Sequence, residues 1–249
     1  MKKGINRMIF RRELCKMMPI IFISTLLISI VIVPFVLNYP KALHDLASQG
    51  SSSLAWLDFS VYLGEQIIGP VCIRFISIIV VFLSIGLIAG EIQFGTIRLL
   101  LSKPISRPHV YLEKALAGIT GTLLIDILPV LIIFLASMLI GQRLSLGQFV
   151  SVVISIFAGH FFVLGFSLFQ SSLFSDYIKP AIITLILFIV LPSFTNSSSP
   201  LRQFYYESYI NVTDALRSCQ ISVLNLGILF ILGLFFIWLG LLIFTKRSY

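Results

Sequence analysis

Six apolar runs, each close to the roughly 20 residues an α-helix needs to cross a bilayer, constrain this chain more than any other feature. They lie at about 19–37, 67–89, 115–140, 149–169, 180–194 and 221–244 of its 249 residues. The fifth is short and bounded by Pro180 and Pro192. A soluble domain of this length needs polar surface that this chain lacks, since 58% of it is hydrophobic and only 11% charged, with a mean hydropathy of +1.04. The expected fold is all-α: a polytopic membrane protein with six transmembrane helices in one domain over residues 1–249. The basic start, Lys2 to Lys16, superficially resembles a signal peptide. The apolar run from Pro19 to Leu37 is longer than an h-region of about 7–15 residues, and no small-x-small cleavage site follows. It reads as a retained span.

Orientation follows from the basic residues. With an inner N-terminus, the inner segments hold Lys2, Lys3, Arg7, Arg11, Arg12, Lys16, Arg98, Lys103, Arg107, Lys114, Lys179, Lys246 and Arg247. The outer segments hold Lys41, Arg143, Arg202 and Arg217. Cytoplasmic loops carry the excess of Lys and Arg, so both termini are expected inside. The net charge of +8 thus belongs to span ends facing anionic lipid, not to a nucleic-acid surface. Before the first span, Phe10, Leu14 and Met17 fall at i, i+4 and i+7, with Arg7 and Arg11 on another face. That spacing predicts an N-terminal interfacial helix.

The inner segment Gly90–Ala115, GEIQFGTIRLLLSKPISRPHVYLEKA, is the one long, motif-bearing polar segment between two apolar spans. Glu91, Gly95, Arg98 and Ser102 fall at helical spacing on one face, and Phe94, Ile97 and Leu101 on another. Pro104 stops that helix, and Ser106, Arg107 and Pro108 make a turn. Such a cytoplasmic helix either receives force from a soluble partner or rests on the lipid surface. On the outer side, Asn38–Gln66 is rich in Ser and Gly at Gly50–Ser53 and is expected to be flexible there. Thr195–Gln220 carries Phe204, Tyr205, Tyr206 and Tyr209. Those aromatics form either an interfacial belt or a pair of short helices dipping back into the membrane.

Enzyme motifs are missing. No Gly-Lys pair occurs, so the chain has no phosphate-cradling loop of that type, and neither Gly-x-Ser-x-Gly nor His-Glu-x-x-His is present. His44, His109 and His160 share no metal-ligand spacing with one another or with Cys15, Cys72 and Cys219. No catalytic residue and no metal site is expected. Cys72 and Cys219 both fall near the outer face, either as a disulfide or as separate buried thiols.

Three ionisable groups fall within spans: Arg74, Asp126 and His160. Each costs about 2.5–3.5 kcal/mol at a span centre if it is Asp or Arg. They either line a polar, proton-linked pathway or form a stabilising pair, Asp126 with Arg74 or His160. Gly86 with Gly90, and Ala117 with Gly121, have the small-x-x-x-small spacing that lets helices approach closely in lipid.

The loop residues Glu91, Gly95, Thr96, Leu99–Leu101, Pro104, Ser106 and Arg107, with Lys114 at the start of the next span, carry a resemblance. The chain resembles the membrane subunits of bacterial ABC exporters of the type-two (ABC-two) permease family. This resemblance implies a permease subunit in the bacterial cell membrane, with a second permease copy or paralogue and two separately encoded ATPases. It implies no cofactor in this chain, with ATP and Mg bound by the partner ATPase. Glu91, Phe94, Gly95, Thr96, Arg98, Pro104, Ser106 and Arg107 would then couple the permease to that ATPase. The family's N-terminal amphipathic helix and re-entrant outer helices would correspond to Ile5–Met17 and Leu201–Arg217. The exported substrate would be a peptide, antibiotic, lipid-like molecule or ion. An ATP-independent carrier or channel is the alternative, and would have to use Arg74, Asp126 and His160. A membrane-bound sensor or scaffold is disfavoured by the lack of a soluble domain.

Overall fold

A computed structural model of the protein describes residues 2–48, 58–102, 105–194 and 205–247, and all regular elements among them are helices. In chain order they are α1 (Lys2–Leu37), α2 (Tyr39–Ser48), α3 (Phe59–Gln93), α4 (Thr96–Leu101), α5 (Arg107–Leu139), α6 (Leu146–Leu173), α7 (Ile178–Phe194), α8 (Val212–Ser218) and α9 (Val223–Lys246). A 3₁₀ turn at Tyr206–Tyr209 precedes α8. Five helices are long and apolar enough to cross a membrane: Ile9–His44, Phe59–Gln93, Arg107–Leu139, Leu146–Leu173 and Val223–Lys246. The predicted fifth span is α7, an apolar helix shorter than 18 residues, at the lower limit of spanning length.

The helices run alternately between two ends. One end holds Arg12, Lys16, Glu91, Arg107, Lys114 and Arg247, and is called here the basic end; the opposite end holds Asp58, Ser145 and Arg217. α6 is the axis, packed by α9, α5, α3 and α8, while α1 lies against α5. Without a hydrophobic driving force between helices in lipid, tight packing needs small residues. Gly165 of α6 faces Gly233 of α9 so closely that a Cβ at 165 would stand 2.4 Å from the Gly233 carbonyl oxygen. Gly121 of α5 gives way to Met17 of α1, whose Cε would be 2.8 Å from an added Cβ. That close approach agrees with the spacing of Ala117 and Gly121. Gly86 and Gly90 serve differently: a Cβ at either would meet only the Tyr177 ring, at 3.7 Å. Their spacing leaves room for an aromatic side chain and not for a neighbouring helix.

The N-terminal segment is also differently built. It is one continuous helix with the first span, through Pro19, and not a separate interfacial element. Its inward stripe is Ile9, Glu13, Met17 and Ile21, whereas Phe10 and Leu14 are only half-buried. The predicted apolar face was rotated because Glu13, a charged residue, is among the buried ones. α3 contains two stretches of wide π-turns, Leu63–Ile73 and Gly86–Gly90, a feature common at functional sites. All three cysteines are free, with Cys72 buried and Cys15 and Cys219 exposed. The Gly50–Ser53 stretch, and Phe204 and Arg202 of the outer loop, lie outside the described residues.

Candidate functional site

The segment between α3 and α5 turns sharply at Gly95, whose φ of +71° is the left-handed region that glycine adopts without a Cβ penalty. Phe94 N–H bonds to the Gly90 carbonyl and Gly95 N–H to that of Ile92. Thr96 Oγ1 reaches back 3.3 Å to the Glu91 carbonyl, bracing the corner. The turn resets the helical phase, so Glu91, Gly95, Arg98 and Ser102 do not form one face of an unbroken helix. Phe94 and Ile97 likewise part company: Ile97 and Leu100 are buried, whereas Phe94 is 79% and Leu99 71% exposed. Arg98 is exposed. Lys103 and Pro104 lie outside the described residues. Ser106 is exposed at the start of α5, without a side-chain cap. Arg107 donates from Nη1 to the carbonyls of Thr245 (3.2 Å) and Arg247 (2.7 Å), fastening α5 to the end of α9.

Glu91 points away from this exposed surface into a buried ion cluster. Lys114 is wholly buried, with Nζ 2.8 Å from Glu91 Oε2 and 3.5 Å from Glu13 Oε1. Arg12 and Lys16, both about half exposed, close the cluster from outside. Arg12 pairs with Glu13 and, at 3.2 Å, with Glu91; Lys16 reaches the two carboxylates at 3.4 and 3.5 Å. The cluster joins α1, α3 and α5 at the base of the corner. Glu13 and the buried role of Lys114 escaped the sequence reading. The available signal was that Glu13 is the only acid in an otherwise basic N-terminal stretch.

Midway along the bundle, His160 Nδ1 lies 2.6 Å from Asp126 Oδ1 and both residues are fully buried. His160 Nε2 lies 3.0 Å from the Ile73 carbonyl and must donate to it. One further proton then lies between Nδ1 and Oδ1. Whichever atom carries it, the pair is neutral overall, which is how two ionisable groups are kept inside at tolerable cost. Arg74 belongs to another pairing: its guanidinium makes two 3.3 Å contacts to Glu207. The structure therefore brings Asp126 to His160 and keeps Arg74 apart from both.

Arg74 and Glu207 help form a polar cavity of about 400 Å³ between α3 and the turn before α8. Tyr206 forms no surface belt; it is buried, with its hydroxyl 2.6 Å from Ser77 Oγ. Burial pushes the phenol pKa above its ordinary value. The 3₁₀ turn and α8 dip into the bundle, where Ile210 packs against Gly159 and Ala215 and Leu216 are buried. The described part of the outer loop is thus one 3₁₀ turn and one short helix packed on the bundle. Among the described residues, no group of three or more His, Cys, Asp or Glu side chains could hold a metal ion.

Compared with known families, residues 12–249 match the family described as ABC-2 family transporter protein. A comparison with curated proteins found no match.

Proposed function

Since the chain belongs to the ABC-2 transporter family and is a multi-pass membrane permease, we propose that it is the membrane half of an ATP-driven exporter. In this reading the corner around Gly95 receives the motion of a separate ATPase. The observation that carries it is the pair of large apolar side chains, Phe94 and Leu99, held out at the basic end on a hydrogen-bonded turn. An exposed aromatic beside an aliphatic residue is suited to anchor a partner, and the turn behind it is rigid enough to transmit force. The ion cluster supports the same reading: Glu91, three residues before Phe94, is locked to α1 and α5. A push on Phe94 would reach three helices at once.

The basic end faces the cytoplasm by the distribution of Lys and Arg, and two permeases pair with two ATPases. Transport requires arrangements that differ in their affinity for the substrate. The exported substrate is a peptide, antibiotic, lipid-like molecule or ion. Purification of this chain from its native membrane tests the proposal: an ATPase should co-purify, and its ATP hydrolysis should respond to reconstitution with the permease. Recovery of the chain with no ATPase, together with substrate movement in ATP-free vesicles, would establish the carrier reading instead.

A further inference from the structure

The basic end also contains a groove that ATPase coupling leaves unexplained. It runs between α1 and one face of α3, floored by Ile79, Phe82, Gly86 and Gly90 and walled by Ile20 and Tyr177. Two adjoining cavities of about 570 and 370 Å³ form it, sharing Lys16, Gly86, Glu91 and Tyr177. The two glycines let the Tyr177 ring lie close against α3, 3.7 Å from where a Cβ at either would stand, so that it forms one wall of the groove. From Gly90 to Ile79 the floor extends about 16 Å at the helical rise, which is half of the roughly 30 Å hydrocarbon core. Its depth is that of one leaflet.

The mouth of the groove carries Arg12 and Lys16. Three cations, Arg12, Lys16 and Lys114, share two carboxylates, Glu13 and Glu91. Among the described residues no other acid lies within ion-pair distance of them. One positive charge is therefore left over. Lys114 is sealed inside, so the surplus is presented by the half-exposed Arg12 and Lys16. A cationic mouth above an apolar channel one leaflet deep is the complement of an anionic phospholipid.

We propose that this groove binds one anionic phospholipid of the leaflet at the basic end, with its phosphate at Arg12 and Lys16 and an acyl chain along Gly90–Ile79. The lipid would fill the wedge between α1 and α3 and complete the charge balance of the ion cluster. The larger cavity is also lined by Phe94 and Leu99, so the lipid site adjoins the proposed ATPase contact, and lipid retention is measured separately from ATPase recovery.

Native mass spectrometry of the full-length protein, with any partners that co-purify, tests it. Phosphatidylglycerol should be retained and phosphatidylcholine of the same chain length should not. Arg12→Gln with Lys16→Gln should weaken retention about tenfold or more, given the surface attraction each basic residue contributes. Gly86→Leu leaves the charges in place and fills the channel; it too should lose the lipid. Lys246→Gln, an exposed lysine at the same end, should change nothing. Equal retention of both lipids would overturn the proposal. So would retention unchanged in the double variant, or binding that survives Gly86→Leu and is displaced by millimolar inorganic phosphate, which would mark a surface anion site. A shift of the double variant from dimer to monomer without lipid loss would assign the groove to a second copy of the chain.

Discussion

The ion cluster at the basic end and the Asp126–His160 pair at mid-depth solve the same problem in opposite ways. Both bury ionisable groups in a bundle with few polar side chains. The cluster keeps its charges, shares each among several partners, and vents a surplus through Arg12 and Lys16 to the surface. The pair has no such outlet. It reaches neutrality by sharing one proton and uses a single backbone carbonyl to orient the imidazole. Proximity to the surface decides which solution is affordable: a surplus charge is tolerable near headgroups and water, and costly at the centre. The difference teaches that the cluster should be a structural clasp sensitive to charge, and the pair a clasp sensitive to hydrogen bonding.

The largest expected effect tests the first half of that contrast. Lys114→Met strands Glu13 and Glu91 in the interior with only their outer partners, and should destabilise the protein by about 3–5 kcal/mol, as removal of one member of a buried ion pair does. Thermal unfolding in detergent measures it. Adding Glu91→Gln restores the original charge surplus and should recover more than half of the loss. A cost below about 1 kcal/mol for Lys114→Met would mean that the clasp is solvated, and the contrast would fail.

His160→Leu comes next. It removes the partner of Asp126, whose Oδ2 already has no hydrogen bond, and the Nε2 donor to Ile73. The Ile73 carbonyl keeps the 2.7 Å bond from Ser77 Oγ, so the loss should be about 1–3 kcal/mol. Asp126→Asn should cost less, about 1 kcal/mol or under. The new amide can donate to Nδ1 while Nε2–H keeps Ile73, so every bond has a neutral substitute. Transport should persist in Asp126→Asn. Loss of transport by a stable, folded Asp126→Asn protein would show instead that the shared proton moves during the cycle.

Much of this architecture was legible in the sequence, because apolar runs of membrane-spanning length leave the backbone only one way to satisfy its hydrogen bonds in lipid. Arrangements set by distant contacts were not. Asp126 could be matched with Arg74 or His160 by depth alone, and only the fold reserves Arg74 for Glu207. Gly165 and Gly233 stand 68 positions apart, so their contact leaves no trace in a local pattern. The corner was misread for a local reason. Periodicity assumes one helical phase, and a left-handed residue at Gly95 resets it, leaving Phe94 outward and turning Ile97 inward although they are only three residues apart.

That reversal yields the smallest expected effect on stability and the sharpest on function. Phe94 is exposed, borders the cavity that Arg12, Lys16 and Glu91 also line, and lies beyond the last turn of α3. Phe94→Asp should therefore leave unfolding within about 0.5 kcal/mol of the parent, as surface substitutions away from special contacts do. If Phe94 anchors an ATPase, the same change buries a charge at an apolar contact and should reduce ATPase recovery in pull-downs at least about tenfold, in the range of hot-spot losses. Glu91→Lys cannot make this distinction, because it puts a fourth cation into the clasp and damages the fold and coupling together. Phe94→Asp and Leu99→Asp separate them. Unchanged ATPase recovery and unchanged transport in both variants would remove the corner from the coupling surface and leave Phe94 as an anchor in the lipid headgroups.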